Sequence, residues 1–248
     1  MLNNPVFRSH RFTRLRLTAG GGAQVQRSVA ERWKAQTGCD ILEAYGLTEC
    51  SPGVCGNLPH APWDGSVGVP LPSTEVSIRG DGFRDLGQCP EGEDPTPYTG
   101  EICVRGPQVM RGYWNKPDET AAVLRDGWLR TGDVGHMDHR GVVTITDRMK
   151  DMILVSGFNV YPNEVENVIA SMPGVLEVGV VGVPSEKSGE TVKAVIVRKD
   201  PTLTVEDVRA FCKTQLTGYK MPKVIVFVDQ LPKSPVGKIL RRELKDVA

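Results

Sequence analysis

Glycine and proline recur throughout the chain, and this feature constrains the fold more than any other. The 248 residues contain 27 glycines and 18 prolines, whereas the two together usually make up about 12% of a chain. Apolar residues still account for 40% of the sequence and charged residues for 24%, as in a globular protein with a hydrophobic core. We therefore expect one large or two small domains, at about 150 residues each, rich in turns and loops.

Charge, hydropathy and cysteine usage exclude several classes of protein. Lys and Arg number 30 and Asp and Glu number 30, so the chain lacks the basic excess of nucleic-acid-binding proteins. No apolar run approaches the length of about 18 residues that a transmembrane helix needs. The 6 cysteines include no Cys-x-x-Cys pair and are too sparse for a disulfide framework. We expect a reduced, intracellular protein that does not bind nucleic acid.

Residues 15–60 are expected to alternate strand and helix. A short apolar strand at residues 15–17 leads into the glycines at 20–22, and a second strand starts at Ile41. Between the strands, apolar residues four apart indicate a helix, which Gly38 should end. The apolar residues of that helix face are Val25, Val29 and Trp33.

The remaining chain divides into two zones of different character. Residues 61–147 hold short β segments between Pro/Gly turns, which predicts a small sheet or barrel. Residues 151–248 are typical of a compact α+β unit. There, Asn163 and Thr204 are predicted helix caps, with Glu166 three residues after Asn163, as a capping box requires.

Common catalytic motifs are absent from the sequence. We find no Gly-x-Ser-x-Gly elbow, no His-Glu-x-x-His, no Walker-type phosphate loop and no Gly-x-Gly-x-x-Gly. The 4 histidines are scattered along the chain. A zinc enzyme or a catalytic triad therefore has little support.

Two loops combine glycine, hydroxyl and carboxyl groups in a way that suits an anionic ligand. Residues 20–23 separate a strand from a helix, so a phosphate could reach the helix N-terminus there; a tight structural turn fits equally well. Thr48 and Glu49 follow a strand end, where one hydroxyl and one carboxylate can hold Mg²⁺ together with a phosphate. A solvated loop is the simpler alternative for that pair.

Two further positions are candidates for sugar and phosphate binding. Asp133, in Thr131-Gly132-Asp133 at the end of a strand-like segment, could accept two hydrogen bonds from a ribose diol, with Arg148 nearby; a β-turn Asp is equally common. Lys238 follows a stiff Pro-rich stretch and Gly237, so its ammonium could act as an electrostatic clamp. A surface lysine before a basic helix is the alternative.

These segments occur together with several others in a fixed order. They are residues 20–23, 45–49, 99–101, 112–114, 126–151, 156–166, 216–223 and 231–244. Together they resemble the AMP-forming acyl-CoA synthetases of the adenylate-forming superfamily, and among these the bacterial long-chain fatty acid–CoA ligases. The run 126–151 resembles the fatty acyl-CoA synthetase signature, and the likeness extends from about Leu2 to the end of the chain.

The resemblance implies that one group of residues binds the nucleotide. The glycine-rich segment would flank the adenine, and Tyr45 would stack near it. Thr48 would touch the α-phosphate, while Asp133 and Arg148 would bind the ribose hydroxyls. The complete set is Gly20, Gly21, Gly22, Ala23, Tyr45, Gly46, Thr48, Asp133 and Arg148.

Four further roles are implied by the resemblance. Glu49 would hold Mg²⁺, and Lys238 would be the catalytic lysine of adenylation. Lys150 occupies the hinge position about which the C-terminal domain swings between the two steps of the reaction. Gly157 would lie by the pantetheine tunnel of CoA. The implied substrates and cofactors are a fatty acid, ATP, Mg²⁺ and CoA.

The fold implied is α/β and α+β. Residues 1–60 would be a remnant of the large AMP-binding domain, and residues 61–149 its β-rich, barrel-like subdomain. Residues 150–248 would form the mobile α+β C-terminal domain. The polar stretch 147–151 indicates a joint at this point independently of the resemblance.

One departure from the family is large. Its enzymes carry a Ser/Thr/Gly-rich loop ending in Lys, which cradles the β- and γ-phosphates, and nothing in this sequence matches it. The family's enzymes are also about twice as long as this chain. We therefore expect most of the N-terminal domain, with much of the fatty-acid pocket, to be missing, and the chain alone to be weak or inactive.

The implied function is that of an AMP-forming long-chain fatty acid–CoA ligase acting through an acyl-adenylate. Two alternatives stay open: a non-catalytic remnant that binds AMP, and an adenylation module with a different acyl acceptor, as in peptide synthetases or luciferase-like enzymes. A cytoplasmic location is expected. Peripheral contact with the inner face of the membrane is a family-level expectation.

Overall fold

The computed structural model describes residues 1–2, 4–59, 61–235 and 237–247. The chain forms two compact units, Met1–Thr146 and Asp147–Ala248. This division lies slightly before the boundary that the sequence predicts between residues 149 and 150. Asp147 already belongs to the second unit, where its buried carboxylate pairs with Arg241 at 3.0 Å. No helix of the described residues is long and apolar enough to cross a bilayer.

The first unit opens with a four-stranded sheet in which the first two strands are parallel. Its strands, in spatial order, are β1 Thr18–Gly21, β2 Ile41–Gly46, β3 Gly53–Gly56 and β4 Val69–Pro70. Helix α1 covers Pro5–Ser9, and α2 covers Arg27–Thr37 between β1 and β2. A helix ending at Gly38 is confirmed, with a φ of 75° at Gly38 and a bond from its N–H to the carbonyl of Lys34. It begins at Arg27, so Val25, which was predicted on its apolar face, lies before it, and Val29 is 36% exposed.

The strand predicted at residues 15–17 is displaced in the structure. Strand β1 begins at Thr18 and includes Gly20 and Gly21, which face Glu43 and Ala44 across the parallel pair. Pairing with β2, rather than local hydropathy, therefore decides where this strand starts.

A five-stranded sheet forms the rest of the first unit. The strands are β5 Glu75–Arg79, β6 Gly100–Arg105, β7 Leu124–Arg125, β8 Trp128–Met137 and β9 Val143–Arg148. Their order is β5-β6-β8-β7, with β9 also paired to β8, and helix α3 covers Pro117–Val123. Apolar residues from both sheets share one core, which includes Val54, Ile78, Ile102, Val104 and Val143.

The second unit is an α+β fold, as predicted from the sequence pattern. Its sheet contains β10 Ile153–Val155, β11 Phe158–Val160, β12 Val175–Ser185, β13 Gly189–Arg198 and β14 Val224–Val228. The order is β11-β10-β13-β12, with β14 parallel to β13. Its helices are α4 Pro162–Ala170, α5 Val205–Lys213 and α6 Arg241–Leu244.

One of the two predicted helix caps is confirmed and the other is wrong. Thr204 caps α5 and forms a capping box with Asp207. Helix α4 instead begins at Pro162, so Asn163 lies inside it. The Asn163 N–H donates to Oδ2 of Asp147 at 2.7 Å, so the capping acceptor comes from another segment. Glu166 is buried and accepts from the backbone N–H of Val180 rather than closing a capping box.

Candidate active site

The ends of the two parallel strands β1 and β2 place the first group of predicted residues at one edge of the sheet. Gly20 and Gly21 end β1, while Tyr45 and Gly46 end β2. The carboxyl ends of parallel strands are where α/β sheets commonly bind ligands. A Cβ atom on Gly21 would lie 3.2 Å from the carbonyl oxygen of Ala44, so the two backbones approach closely here.

The loop after β1 is open to solvent. Gly22 has a φ of +80°, and a Cβ atom added to it would meet nothing within 4 Å, so a ligand could approach its backbone. Ala23 is exposed beside it. A phosphate or an adenine could therefore contact this backbone, because it is open to solvent. A plain turn would have the same backbone.

Glu43 anchors this loop, and the sequence reasoning missed it. Its carboxylate is 3% exposed and accepts hydrogen bonds from the N–H of Val25 at 3.2 Å and from the indole of Trp63 at 2.6 Å. Burial raises the pKa of Glu43, while these two donors oppose the rise. The alternation along β2 carried a signal, because it puts Glu43 on the buried face with Ile41 and Tyr45.

Asp133 lies in a bulge, not at the end of a strand as the sequence predicted. Strand β8 continues to Met137, and its pairing with β6 slips so that Thr131-Gly132-Asp133 faces the single residue Ile102. Gly132 has a φ of +72°, which permits the sharp turn of the backbone. Such bulges commonly redirect a side chain next to a functional site.

Tyr45 and Asp133 meet in the interior of the first unit. The Tyr45 hydroxyl donates to Oδ2 of Asp133 at 2.7 Å, and the two residues are 8% and 6% exposed. Burial and the Asp133 carboxylate raise the pKa of Tyr45, so the phenol stays a donor at neutral pH. The bond brings together two segments that the sequence assigned separately to the nucleotide.

Glu101 holds the bulge in place. Its buried carboxylate accepts from Nε of Arg130 at 2.8 Å and from the backbone N–H of Gly132 at 3.1 Å. Thr131 donates to the carbonyl of Ile102 at 2.7 Å. Sequence reasoning noted Glu101 as part of a matching segment and gave it no role. The structure makes it the residue that fixes the backbone beside Asp133.

Glu49 lies beside the bulge and takes a hydrogen bond from a third segment. Thr48 and Glu49 form a short 3-10 turn after β2, with Thr48 exposed. Oε1 of Glu49 accepts from the Tyr113 hydroxyl at 2.7 Å, and this bond, followed by burial, raises the pKa of Tyr113. Glu49, Tyr113, Thr131 and Gly132 line part of a cavity of about 280 Å³.

The donor set at Glu49 fits a magnesium ion only when the ion arrives with its substrate. Among the described residues, no group of three His, Cys, Asp or Glu side chains could hold a metal by itself. Mg²⁺ usually takes one or two protein carboxylates and completes its shell with phosphate and water. One anchored carboxylate beside an exposed hydroxyl matches that pattern.

Four predicted site residues lie in the second unit, the first of them at the end of a strand of the five-stranded sheet. Arg148 ends β9, and Lys150 lies in the 3-10 turn Met149–Asp151; both are exposed. Gly157 forms the turn of the β10–β11 hairpin with Ser156, and both have positive φ, 86° and 51°. Lys238 lies apart from this hairpin, in an exposed loop before α6.

The loop that carries Lys238 has a closed base. Lys233 bridges to Ile239, and the N–H of Leu240 donates to the carbonyl of Pro232 at 2.9 Å. Inside the loop, Ser234 exchanges backbone and hydroxyl hydrogen bonds with Lys238 at 2.8 and 3.2 Å. The loop therefore has a defined shape that presents the Lys238 side chain at the surface of its unit.

Comparison with known proteins gives consistent matches along the chain. The sequence profile of the AMP-binding enzyme family matches residues 1–114, and that of the AMP-binding enzyme C-terminal domain matches residues 164–238. A long-chain-fatty-acid–CoA ligase from Escherichia coli O6:H1 is 54% identical over 253 aligned positions, which cover 100% of this chain and 43% of the ligase. The chain thus spans less than half the length of this curated relative.

Solved structures agree with the sequence matches. ATP-bound MatB from Rhodopseudomonas palustris superposes with a TM-score of 0.90 at 36% identity, covering 99% of this chain and 48% of MatB. The amide bond synthetase McbA from Marinactinospora thermotolerans superposes with a TM-score of 0.86 at 34% identity, covering 98% and 49%. With two family profiles and these relatives in agreement, the chain belongs to the AMP-binding enzyme family.

Proposed function

We propose that this chain supplies the nucleotide-facing strand ends and the C-terminal unit of an AMP-forming long-chain fatty acid–CoA ligase. The observation that carries the proposal is the buried hydrogen bond between Tyr45 and Asp133. It joins the end of β2 to the Thr-Gly-Asp bulge, so that residues suited to adenine, phosphate and ribose belong to one site. The 54% identity to the Escherichia coli ligase supports the choice of a long-chain fatty acid as the acid substrate.

The proposed reaction has two steps, and neither needs a nucleophile from the protein. In the first, a carboxylate oxygen of the fatty acid attacks the α-phosphorus of ATP, and the bond to the β-phosphate breaks to release pyrophosphate. In the second, the CoA sulfur attacks the acyl carbon after losing its proton to solvent, and the bond to AMP breaks. Catalysis then consists mainly of positioning the reactants and stabilising their charge.

Each site residue has a part in positioning. Asp133 and Arg148 bind the ribose hydroxyls, and Tyr45 lies by the adenine with the glycine-rich loop. Thr48 holds the α-phosphate, and Lys238 stabilises the negative charge that grows there during adenylation. Glu49 would hold Mg²⁺, which supplies charge neutralisation to the phosphates when bound. Gly157 lies on the path of the CoA arm, and Lys150 is the hinge.

Two alternatives make different predictions. A protein that only binds AMP would keep the Tyr45–Asp133 site and lack turnover. An enzyme with another acyl acceptor would make acyl-adenylate and pass it to an amine; the structural likeness to an amide bond synthetase favours this alternative. CoA remains the better proposal because identity to the CoA ligase is 54%, against 34% to the amide bond synthetase. Membrane contact stays a prediction.

The experiment uses a chimera in which this chain replaces the matching 43% of the Escherichia coli ligase. Palmitate-dependent exchange of pyrophosphate into ATP measures the first step, and palmitoyl-CoA formation measures the second. The proposal expects both. Exchange without thioester, with amide formed from an added amine, would support the acceptor alternative. AMP binding without exchange would support the binding-only alternative. The 248-residue chain alone should show weak exchange or none.

A further inference from the structure

The guanidinium of Arg241 is partly buried and contacts four polar side chains of the second unit. Nη1 lies 3.0 Å from Asp147 and 3.4 Å from Asp151. Nη2 and Nε lie 2.8 and 3.2 Å from the two carboxylate oxygens of Glu166, and Nη2 also donates to Asn163. The Arg241 side chain is 19% exposed and that of Asp147 is 0% exposed, so this is an interior cluster.

The cluster holds carboxylates whose burial is unfavourable unless Arg241 stays charged beside them. Burial raises the pKa of Asp147 and of Glu166, and Arg241 opposes both rises. Burial alone would lower the pKa of Arg241, but the carboxylates of Glu166, Asp147 and Asp151 more than reverse this, so it stays charged. Removing the cation would leave carboxylates buried without their main counter-charge, which is strongly unfavourable.

The four partners of Arg241 come from the segment that holds Lys150 and from helix α4. Asp147 and Asp151 flank the stretch Arg148-Met149-Lys150 on its two sides. Asn163 and Glu166 lie on α4. Arg241 itself starts α6, three residues after Lys238 and directly after the base of the Lys238 loop. One side chain thus connects both ends of the segment that holds Lys150 to the base of the loop that holds Lys238.

Backbone contacts close the base of the loop that carries Lys238. The bridge from Lys233 to Ile239 and the bond from Leu240 to Pro232 close the loop just before Arg241. Arg241 therefore directly follows a loop that backbone contacts have already closed.

We propose that Arg241 is a positioning residue that locks the Lys238 loop to Asp147 and Asp151, on the two sides of Lys150, in this arrangement of the second unit. In assigning catalytic and hinge roles to Lys238 and Lys150, the inference rests on the proposed function. The lock itself is a property of the second unit and can be measured without turnover.

The first test is hydrogen–deuterium exchange on the 248-residue chain carrying Arg241→Lys. An ammonium keeps the charge but cannot reach four acceptors in a planar fork. Peptides covering residues 147–151 and 232–240 should both exchange about ten-fold faster or more, while the β12–β13 strands keep their protection. Faster exchange at 232–240 with no change at 147–151 would overturn the proposal.

The matched control and the reverse test use neighbouring residues. Arg242→Lys makes the same change at the next position, where the side chain is 84% exposed, and should leave both segments unchanged. Asp147→Asn should loosen the Lys238 loop although 94 residues separate Asp147 from Arg241.

Arg241→Lys could also open the β12–β13 strands, and Asp151→Asn is then the deciding variant. It removes only the 3.4 Å contact to Arg241, so unchanged exchange at residues 232–240 would refute the lock.

A catalytic measurement distinguishes a role in positioning Lys238 from a role in stabilising the fold alone. In the chimera, Arg241→Lys should lower kcat for adenylation by about 10²-fold with KM for ATP little changed, as for a misplaced catalytic group. A rise in KM alone would contradict a positioning role. If Lys238→Ala leaves adenylation intact while the exchange results hold, the role of Lys238 is wrong and the lock stands.

Discussion

The Tyr45 hydroxyl donates a 2.7 Å hydrogen bond to the Asp133 carboxylate across 88 residues of sequence. Tyr45 lies near the end of a strand of the first sheet, and Asp133 occupies a bulge of the second. The bond gives the buried carboxylate a fixed donor and orients it. It also ties the two sheets of the first unit at the point where we place the nucleotide.

Replacing Tyr45 with Phe should destabilise the first unit. The change removes one donor from a carboxylate that is 6% exposed, at a cost of about 1–3 kcal/mol. Urea unfolding followed by tryptophan fluorescence measures this unit alone, because all 4 tryptophans precede residue 147. Tyr98→Phe removes a comparable bond to Glu93 at an exposed site and should have little effect. Equal midpoints for the two variants would contradict the argument.

Local chemistry predicted some features of the fold, and long-range contacts decided the others. Gly38 and Thr204 could be identified from sequence because a left-handed C-cap and a capping box depend on neighbouring residues. The capping of α4 by Asp147 could not, because the acceptor comes from 16 residues away. The bulge at Asp133 likewise depends on its register with β6, where Glu101, 31 residues away in sequence, accepts from Gly132.

Site residues follow the same division. Motif resemblance named Glu49 and Asp133, but it gave no sign of the hydrogen bonds that they accept from Tyr113 and Tyr45. Arg241 looked like one of several basic residues in a short helix, and only the fold shows that it faces inward while Arg242 is 84% exposed. A four-residue helix is too short for periodicity to make that distinction.

Removing the Tyr113 hydroxyl should weaken magnesium dependence in the chimera. Tyr113 orients Glu49 through a 2.7 Å bond, and loss of such a supporting contact typically costs about 10–100-fold in metal affinity. Tyr113→Phe should therefore raise the Mg²⁺ concentration for half-maximal exchange, and Glu49→Gln should raise it further. Binding of AMP without metal should not change. Glu119→Gln, at an exposed carboxylate paired with Lys116, is the control.

Loss of the Lys238 ammonium should affect the first step selectively. In the chimera, Lys238→Ala removes the charge that we propose stabilises a developing anion, and such a loss costs about 3–4 kcal/mol, or ~10²–10³ in rate. Thioester formation from supplied acyl-adenylate should change far less. Lys233→Ala, at the base of the same loop and paired with Glu177 at 2.6 Å, should leave both rates close to wild type. Equal damage to both steps by Lys238→Ala would assign that residue to structure or to CoA.

Stability of the first unit should depend on pH through His136. Burial lowers the pKa of His136 below its ordinary 6.5, against a smaller opposing effect of Asp138. As pH falls below 6.5, the unfolded chain takes up a proton that the folded unit refuses, so stability decreases until the lowered pKa is reached. Tryptophan-detected urea midpoints should fall in that window. His136→Gln should flatten the profile and the exposed His139→Gln should not; parallel profiles for His136→Gln and wild type would refute this.

If Lys150 is the hinge, proline at this position should block one of the two steps of the reaction. Lys150 lies in the 3-10 turn Met149–Asp151, at the start of the second unit. Hinges are a few residues that absorb a large change in φ and ψ. Proline at position 150 would fix φ near about −65° and push Met149 out of the helical region, so one of the two arrangements that the reaction steps require should become inaccessible.

In the chimera, Lys150→Pro should leave adenylation substantially intact and severely reduce thioester formation, whereas Lys150→Ala, which keeps backbone freedom, should permit both. Single-turnover measurements of each half-reaction separate the two steps, because adenylate can be formed in place or supplied. A parallel loss of both rates together with a lower melting temperature would mean that proline unfolds the junction. Unchanged rates for Lys150→Pro would place the hinge at another residue, since the polar stretch 147–151 would then tolerate a fixed φ at position 150 without cost to either step.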